Sequence, residues 1–353
     1  MTAPLRLVHV GLGGWGTYWA REVLPHLTAA ANVTVAAAVD VDESRHAIAI
    51  EHLGLPADRC YTDVRKALAE HDADFVTVVV PPAFHEEVID AAVATGAHIL
   101  SEKPMADTMA GCVRIHRKVN AAGLKMAVTM SHRFDRDKQT LQQAVRDGRY
   151  GQLAYVVYRF THAARHFGDW GEFRHRIPDP LLVEGSVHHL DILRAVTGAD
   201  AARVYAVTWN PPWGEYAGDS TALVTLEMTD GTRAIYEGAK ANASTLNGWT
   251  GDYIRAECEN GTLELDRRAL RLLRSDGGAP PSATDLPLLD EPHAWMNPWL
   301  AEQFCDWLRG GPAPECTVDD NLQCSALLYA TIESAHTGAP VDVQDFLARH
   351  LDG

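Results

Sequence analysis

The feature that most constrains this chain is a glycine-rich segment near its start, Gly11-Leu12-Gly13-Gly14-Trp15-Gly16. Its spacing is G-x-G-x-x-G. An apolar run precedes it, and a stretch suited to a helix, residues 17–30, follows it. Strand, glycine turn and helix in this order are typical of a dinucleotide site. Gly11 permits the tight turn, Gly13 lets backbone N–H groups approach a pyrophosphate, and Gly16 allows close helix–strand packing. The alternative is an ordinary glycine-rich turn.

A carboxylate after the next strand candidate favours the dinucleotide site. The apolar run 33–39 ends in Asp40, at about the distance downstream where an acidic side chain meets the ribose hydroxyls of a dinucleotide. Because a carboxylate there would repel a 2′-phosphate, we predict that the cofactor is NAD. The predicted NAD-binding residues of this region are Gly11, Gly13, Gly14, Trp15, Gly16 and Asp40.

Length, charge and cysteine content limit the class of protein. The chain has 353 residues and a formal net charge of −16, so we predict two domains and neither a nucleic acid nor an anionic membrane as partner. The six cysteines form no CxxC pair, which is typical of reduced thiols. The N-terminus has no signal-peptide pattern, and no apolar run is long enough for a membrane span. We therefore expect a cytoplasmic protein.

The first part of the chain alternates segments typical of strands with segments typical of helices. The strand candidates are 5–10, 33–39, 75–80, 98–101 and 125–130, and the amphipathic stretches between them include 42–52, 84–94 and 107–122. Short apolar strands separated by helices predict a parallel sheet that is covered on both faces and binds its ligand at the carboxyl ends of the strands. We predict an α/β Rossmann dinucleotide-binding domain over residues 1–127.

From residue 128 onward the pattern changes to longer, alternating strands. Their candidates are 153–160, 204–209, 222–228, 233–239, 253–259 and 262–266, and the predicted helices are 138–147, 181–196, 297–308 and 318–337. Turn residues such as Asp230-Gly231 and Asn260-Gly261 predict hairpins. We predict an α+β domain over 128–353 with a large, mainly antiparallel open sheet, which binds substrate and forms the oligomer. Residues 275–298 are predicted as an ordered surface loop.

Three segments follow carboxyl ends of the predicted parallel strands: the glycine loop, Val80-Pro81-Pro82 and Glu102-Lys103-Pro104. With His85 after the second segment and the two-part layout, they resemble the Gfo/Idh/MocA family of sugar and cyclitol oxidoreductases. The resemblance covers nearly the whole chain, including an ending, residues 333–338, similar to the last long helix of the family.

The resemblance implies roles for the residues around Lys103. A lysine at a strand end beside the cofactor can hold a substrate hydroxyl and stabilise developing alkoxide charge, and similarity to the family favours a catalytic Lys103. The alternative is a solvated lysine. The resemblance further implies a structural or nicotinamide-side role for Glu102 and a place near the cofactor for His85. The residues of this region that are predicted to bind the cofactor are Val80, Pro81, Pro82, His85, Glu102 and Lys103.

A second motif is Leu182-Val183-Glu184-Gly185-Ser186-Val187-His188-His189-Leu190-Asp191. The family usually shows D-x-G-x-H-x-x-D here, so His188 and Asp191 match, whereas Glu184 and Ser186 replace Asp and Gly. An imidazole suits general base catalysis at neutral pH, and we predict that His188 is the base. Glu184, one helical turn away, is predicted to orient His188 or a neighbouring hydroxyl. Ser186 is predicted to cap the helix.

Other polar residues have open assignments. The segment 161–176 carries His162 and Trp170, whose rings and donors suit a sugar; the alternative is a subunit contact. Arg133 stands where the family often has an arginine, with either a packing or a substrate-binding role. Since His188 and His189 lie about 100° apart around a helix, they would not converge on one ion, and we predict no metal site.

The predicted function follows from these motifs. It is NAD(H)-dependent oxidation of a secondary hydroxyl of a sugar, cyclitol or related polyol, or the reverse ketone reduction. One alternative is an NAD-retaining enzyme that modifies glycosides through transient oxidation. Another is a non-catalytic sugar or nucleotide sensor, against which Lys103 and His188 argue. The resemblance also implies homodimers or homotetramers.

Overall fold

The computed structural model describes residues 3–169, 172–275 and 280–353. Contacts divide the chain into two compact units. The first comprises Met1–Ser131 and His293–Leu322, and the second comprises His132–Pro292 and Gln323–Gly353. None of the helices formed by the described residues is both long and apolar enough to cross a membrane.

The first unit contains a six-stranded parallel sheet of short apolar strands. In chain order the strands are β1 (Leu5–Val10), β2 (Val33–Val39), β3 (Cys60–Tyr61), β4 (Phe75–Val78), β5 (His98–Ser101) and β6 (Met126–Val128). Their spatial order is β3-β2-β1-β4-β5-β6, so the chain reverses direction across the sheet between β1 and β4. In such sheets the ligand binds at the carboxyl ends beside this reversal. The predicted Rossmann arrangement is confirmed.

Helices connect these strands. Helical backbone between β1 and β2 is continuous through Gly14–Tyr18, a wider π turn at Trp19–Val23, and Leu24–Ala30. The remaining helices that lie wholly in this unit are Glu43–Arg45, His46–Leu53, Ala57–Arg59, Val64–Glu70, Pro82–Phe84, His85–Thr95, Met109–Ala121 and Asn297–Leu308. Three of them follow residues whose side chains accept from backbone N–H groups of the first turn, Asp42, Asp63 and Thr108, as helix caps do.

The second unit is built on a nine-stranded sheet. Its strands are β7 (Leu153–Thr161), β8 (Ala201–Trp209), β9 (Thr221–Met228), β10 (Arg233–Ala239), β11 (Tyr253–Cys258), β12 (Gly261–Asp266), β13 (Ala269–Arg274), β14 (Ser282–Asp285) and β15 (Val341–Asp342). The order is β14-β13-β12-β11-β7-β10-β9-β8-β15. All pairs are antiparallel except β7 with β10, which confirms the predicted mainly antiparallel sheet.

Helices cover one face of this sheet. Val187–Thr197 packs on β7 and β10 and is buried along most of its length. The others are Arg136–Arg146, Glu172–Arg176, the π turn Leu182–Ser186 and Val343–Asp352, while Ser131–Phe134 and Val318–Thr337 each have residues in both units. Alternation along β9 places Ala222, Val224, Leu226 and Met228 in the core, as a half-buried strand requires.

Two differences from the sequence analysis concern residues 275–322. β14 lies within 275–298, which was predicted as a loop. Residues 293–322, assigned to the second domain, belong by their contacts to the first unit. The reason is the helix Asn297–Leu308, whose Phe304 packs edge-on against Phe75 of β4 with ring centroids 5.6 Å apart. The predicted boundary after residue 127 stays a prediction.

Candidate active site

The glycine loop of the first unit has two crowded and two open glycines. Gly11 has φ +104°, and a Cβ there would lie 2.1 Å from the carbonyl oxygen of Val79. A Cβ at Gly16 would lie 2.1 Å from the carbonyl oxygen of Gly11. At Gly13 and Gly14, by contrast, a Cβ would meet no atom within 4 Å. The loop is therefore tight toward the protein and open where a pyrophosphate would approach the backbone, so it fits NAD.

Asp40 is tied to this loop. Its Oδ2 accepts from the backbone N–H of Leu12 at 2.7 Å, and its Oδ1 accepts from that of Asp42 at 3.0 Å. Each carboxylate oxygen can accept more than one hydrogen bond. The carboxylate thus stands beside the glycine loop with acceptor capacity left for ribose hydroxyls, as its sequence position predicts.

Glu102 links the segment that carries Lys103 to the helix that follows the glycine loop. Its Oε1 accepts from the indole N–H of Trp15 at 2.7 Å and from that of Trp19 at 2.9 Å. Burial raises the pKa of the Glu102 carboxyl, and the Lys103 charge opposes that shift. Lys103 itself is half-buried at the end of β5. Sequence reasoning missed Trp19, because nothing in the chain order connects it to Glu102.

His85 is buried between the two loops that follow β4 and β5. Its Nε2 lies 2.9 Å from the carbonyl oxygen of Val80, and its Nδ1 lies 3.2 Å from that of Met105. Burial lowers the pKa of His85. The ring therefore faces protein backbone and holds Val80 against the loop after β5, while Pro81 is exposed and Pro82 is half-buried.

In the second unit, His188 lies in the first turn of the buried helix Val187–Thr197. Its ring stacks on the ring of His132, with centroids 4.3 Å apart and 15° between planes. Trp249 stands edge-on to both histidines, with centroid distances of 5.4 Å to His132 and 6.3 Å to His188. Neither His132 nor Trp249 was found from the sequence, because they come from segments distant in the chain and carry no motif.

Glu184 is buried and has an arginine partner. Arg174 donates from Nε to Glu184 Oε2 at 3.0 Å. The segment Leu182–Ser186 is a π turn, so the ordinary helical spacing assumed between Glu184 and His188 does not apply across it. The predicted cap at Ser186 is wrong: its backbone is helical, its side chain makes no cap, and its hydroxyl lies 2.8 Å from that of Tyr236.

Arg133 and Asp191 form a buried ion pair. Arg133 Nε donates to Asp191 Oδ2 at 2.8 Å, and Nη2 donates to Oδ1. A bidentate pair of this kind fixes both side chains. Of the two roles left open for Arg133, this contact favours packing, since the pair joins the residues after β6 to the His188 helix.

A buried charge cluster lies beside the histidines. The Nζ of Lys138 is 2.7 Å from Asp252 Oδ2, 3.3 Å from Asp137 Oδ1 and 3.5 Å from Asp135 Oδ2. Burial by itself would raise the pKa of Asp252, but Lys138 lowers it to about 2. His189, whose pKa burial lowers well below its usual value, binds the Tyr236 hydroxyl through Nδ1 at 2.9 Å. His189 is thus a structural residue.

The residues predicted to contact the sugar in segment 161–176 are His162 and Trp170. His162 is half-buried, its ring is parallel to that of Phe160, and burial lowers its pKa. Trp170 lies outside the described residues. Among residues 3–169, 172–275 and 280–353, no group of three or more His, Cys, Asp or Glu side chains has the geometry of a metal site.

Comparison with known proteins gives two family models that match the chain. The oxidoreductase family with NAD-binding Rossmann fold matches residues 5–130, and the GFO/IDH/MocA C-terminal domain matches residues 138–264. The protein y4oX of Sinorhizobium fredii, described as uncharacterized, is 43% identical over 99% of this chain and 98% of its own length.

Two further similarities concern named enzymes. The D-apiose dehydrogenase of Paraburkholderia graminis is 27% identical over 89% of this chain and 84% of its own length. An oxidoreductase from Agrobacterium radiobacter, solved with NAD⁺, L-tartaric acid and magnesium, has a TM-score of 0.83 at 20% identity and covers 97% of this chain and 99% of its own. That structure shows the shared fold. With both family models matching in order, the chain belongs to the Gfo/Idh/MocA family of NAD-binding oxidoreductases.

Proposed function

We propose that the protein oxidises a secondary hydroxyl of a sugar, cyclitol or related polyol, or reduces the corresponding ketone. The observation that carries this proposal is Lys103 at the carboxyl end of β5, in the same parallel sheet whose β1 ends in the glycine loop. An ammonium group at that edge suits a carbinol oxygen whose negative charge grows as hydride leaves. The relative that acts on D-apiose, a sugar, supports a polyol substrate.

We assign roles to the candidate residues. When bound, NAD would supply the acceptor for the hydride of the carbinol carbon. His188 accepts the hydroxyl proton, so that loss of one hydride and one proton leaves a ketone. Lys103 holds and polarises the carbinol oxygen. Glu184, ion-paired to Arg174, contacts a neighbouring hydroxyl or orients His188. His132 positions His188 by stacking on its ring.

Incubation of the purified protein with NAD and a panel of polyols and glycosides tests this function. NADH absorbance should rise with at least one polyol. Release of an aglycone without net NADH would favour the NAD-retaining alternative, and binding of sugars with no chemistry at all would favour a sensor.

Variants test the residue roles. Lys103→Ala and His188→Ala should each lower kcat by about 10² or more, as loss of electrostatic or acid–base catalysis does, and leave NAD affinity largely intact. Glu184→Gln should have a smaller effect. His336→Ala, which removes a histidine paired with Asp179 at the surface, is the control. Near-normal turnover of His188→Ala would disprove the proposed base.

A further inference from the structure

A groove of about 450 Å³ lies within the second unit. Of the residues described above, His162 and Trp249 line it, and Arg267 and Arg268 line it as well. Trp249 is the residue that stands edge-on to His188, with ring centroids 6.3 Å apart. The groove and the proposed base therefore share one neighbouring residue, Trp249.

The two arginines occupy an unfavourable turn. Asp266 pairs with Ala269 across the hairpin of β12 and β13, so Arg267 and Arg268 are its two loop residues. Both have positive φ, 47° and 71°. Such a turn strongly prefers Asn-Gly, because side chains disfavour this backbone. Strained residues of this kind cluster at functional sites, so the arginine side chains need an explanation.

Of the two strained arginines, only Arg268 has a charged partner among the described residues that accounts for its position. Arg268 donates from both terminal nitrogens to Asp135, at 3.1 and 3.0 Å, which neutralises its charge. Arg267 is exposed and donates from Nε to the carbonyl oxygen of Leu246 at 3.1 Å. No carboxylate of the described ranges 3–169, 172–275 and 280–353 forms an ion pair with Arg267. The neighbouring Asp266 accepts instead from Asn247 Nδ2 at 3.0 Å.

The loop of residues 245–251, which also lines the groove, contains a strained residue as well. Thr250, a β-branched residue, has φ 64°, which is a clear outlier for its type. Asn247 holds this loop by donating to the carbonyl oxygen of Gly251 at 3.0 Å. The Nε contact of Arg267 with Leu246 joins the same loop to the arginine turn. Arg267 and Trp249 thus line the same groove, and the guanidinium keeps four of its five N–H donors for a ligand.

We propose that this groove binds an anionic group of the substrate, a carboxylate or a phosphate, through Arg267, with the ring of the sugar beside Trp249. A planar guanidinium matches both groups with paired hydrogen bonds. This inference rests on the proposed function, and it narrows the substrate to an acidic sugar or a sugar phosphate. A local positive site of this kind would let a chain of net charge −16 bind an anionic substrate despite the overall repulsion.

Calorimetry on the NADH-loaded protein at low salt tests the groove without turnover. The probes are D-glucuronate, D-glucose 6-phosphate and D-glucose. One of the two anionic probes should bind about tenfold or more tightly than glucose, the size expected for charge-assisted hydrogen bonds, and the tighter one identifies carboxylate or phosphate. Equal binding of all three would overturn the proposal.

Arg267→Asn is the informative variant, because asparagine favours this turn and the hairpin should keep its fold. It should abolish the tenfold preference. Arg274→Asn is the matched control: it removes an exposed arginine of the same hairpin whose Nε also donates to a backbone carbonyl, that of Asn260, at 3.1 Å. Equal losses in both variants would contradict a site at Arg267. NADH formation with neutral polyols is measured separately, so failure of the oxidoreductase function is distinguishable from failure of the groove.

Discussion

At the scale of single residues, Asp40 determines which nicotinamide cofactor the protein should prefer. Its carboxylate is fixed by the N–H groups of Leu12 and Asp42, so it cannot turn away from an adenosine 2′-phosphate. Arg45, the nearest basic residue in sequence, lies 3.6 Å from Asp42. We expect kcat/KM to be higher with NAD than with NADP.

Two variants of Asp40 separate charge from structure. Asp40→Asn keeps an acceptor for the N–H of Leu12 and removes the charge. It should therefore narrow the preference for NAD over NADP and leave the free energy of unfolding nearly unchanged. Asp40→Ala should narrow it too and also loosen the loop. Steady-state kinetics with both cofactors decide the matter, and a higher kcat/KM with NADP in the unchanged protein would refute the assignment.

Residues within motifs could be predicted from the sequence, and residues that act through long-range contacts could not. Asp40 and Lys103 follow apolar strands, and in a parallel sheet that position fixes the edge at which they lie. His132 meets His188 only after β7 and the helices have folded. The position of Arg267 in a tight turn could not be predicted either, since the pair Arg-Arg is not typical of turns.

At the scale of elements, substitutions at two glycines of the glycine loop should affect different properties, one the stability of the fold and the other the binding of the cofactor. Gly11→Ala places a Cβ 2.1 Å from the Val79 carbonyl oxygen at φ +104°, so we expect the free energy of unfolding to fall by about 2 kcal/mol or more. Gly13 has φ −68° and open space around it. Gly13→Ala should therefore leave stability within about 0.5 kcal/mol and weaken NAD binding.

Chemical denaturation and NAD titration of the two glycine variants provide the measurements. The prediction fails if Gly13→Ala destabilises as much as Gly11→Ala, or if it binds NAD as tightly as the unchanged protein. The first result would mean that the space at Gly13 cannot accept a methyl group, and the second that this side of the loop does not face the cofactor.

Elements with strong boundary signals were predicted well. β1, β2, β5 and β10 have the predicted bounds. The apolar runs of β1 and β2 end at Gly11 and Asp40, and β5 and β10 begin two residues after Gly96 and Gly231. β14 was missed because its residues are all exposed and lack an apolar face. The π turn Leu182–Ser186 left no sequence signal either, since its register depends on packing beneath it.

At the scale of the whole molecule, one face of the second sheet carries an apolar patch. Tyr205, Val207, Leu223 and Ile235 are 39–50% exposed. Val207 pairs with Leu223 and Thr225 with Ile235, so the patch is continuous across β8, β9 and β10. Charged pairs border it, such as Arg233 with Glu227 at 3.2 Å. An apolar centre with a polar rim is typical of a protein–protein interface.

We expect this patch to pair with the same patch of a second copy, giving a homo-oligomer with an even number of subunits. In an isologous contact the same patch of both copies meets, so the apolar side chains of one copy pack against those of the other and are removed from water. Light scattering at micromolar concentration should give a mass of two or four chains, and a mass near 38.6 kDa would contradict the prediction. Leu223→Glu combined with Ile235→Glu should remove this contact and lower the measured mass to half or less, while NAD binding persists. Ile50→Glu, at an exposed apolar residue of the first unit, should leave the mass unchanged, because the assembly is expected to form on the second unit.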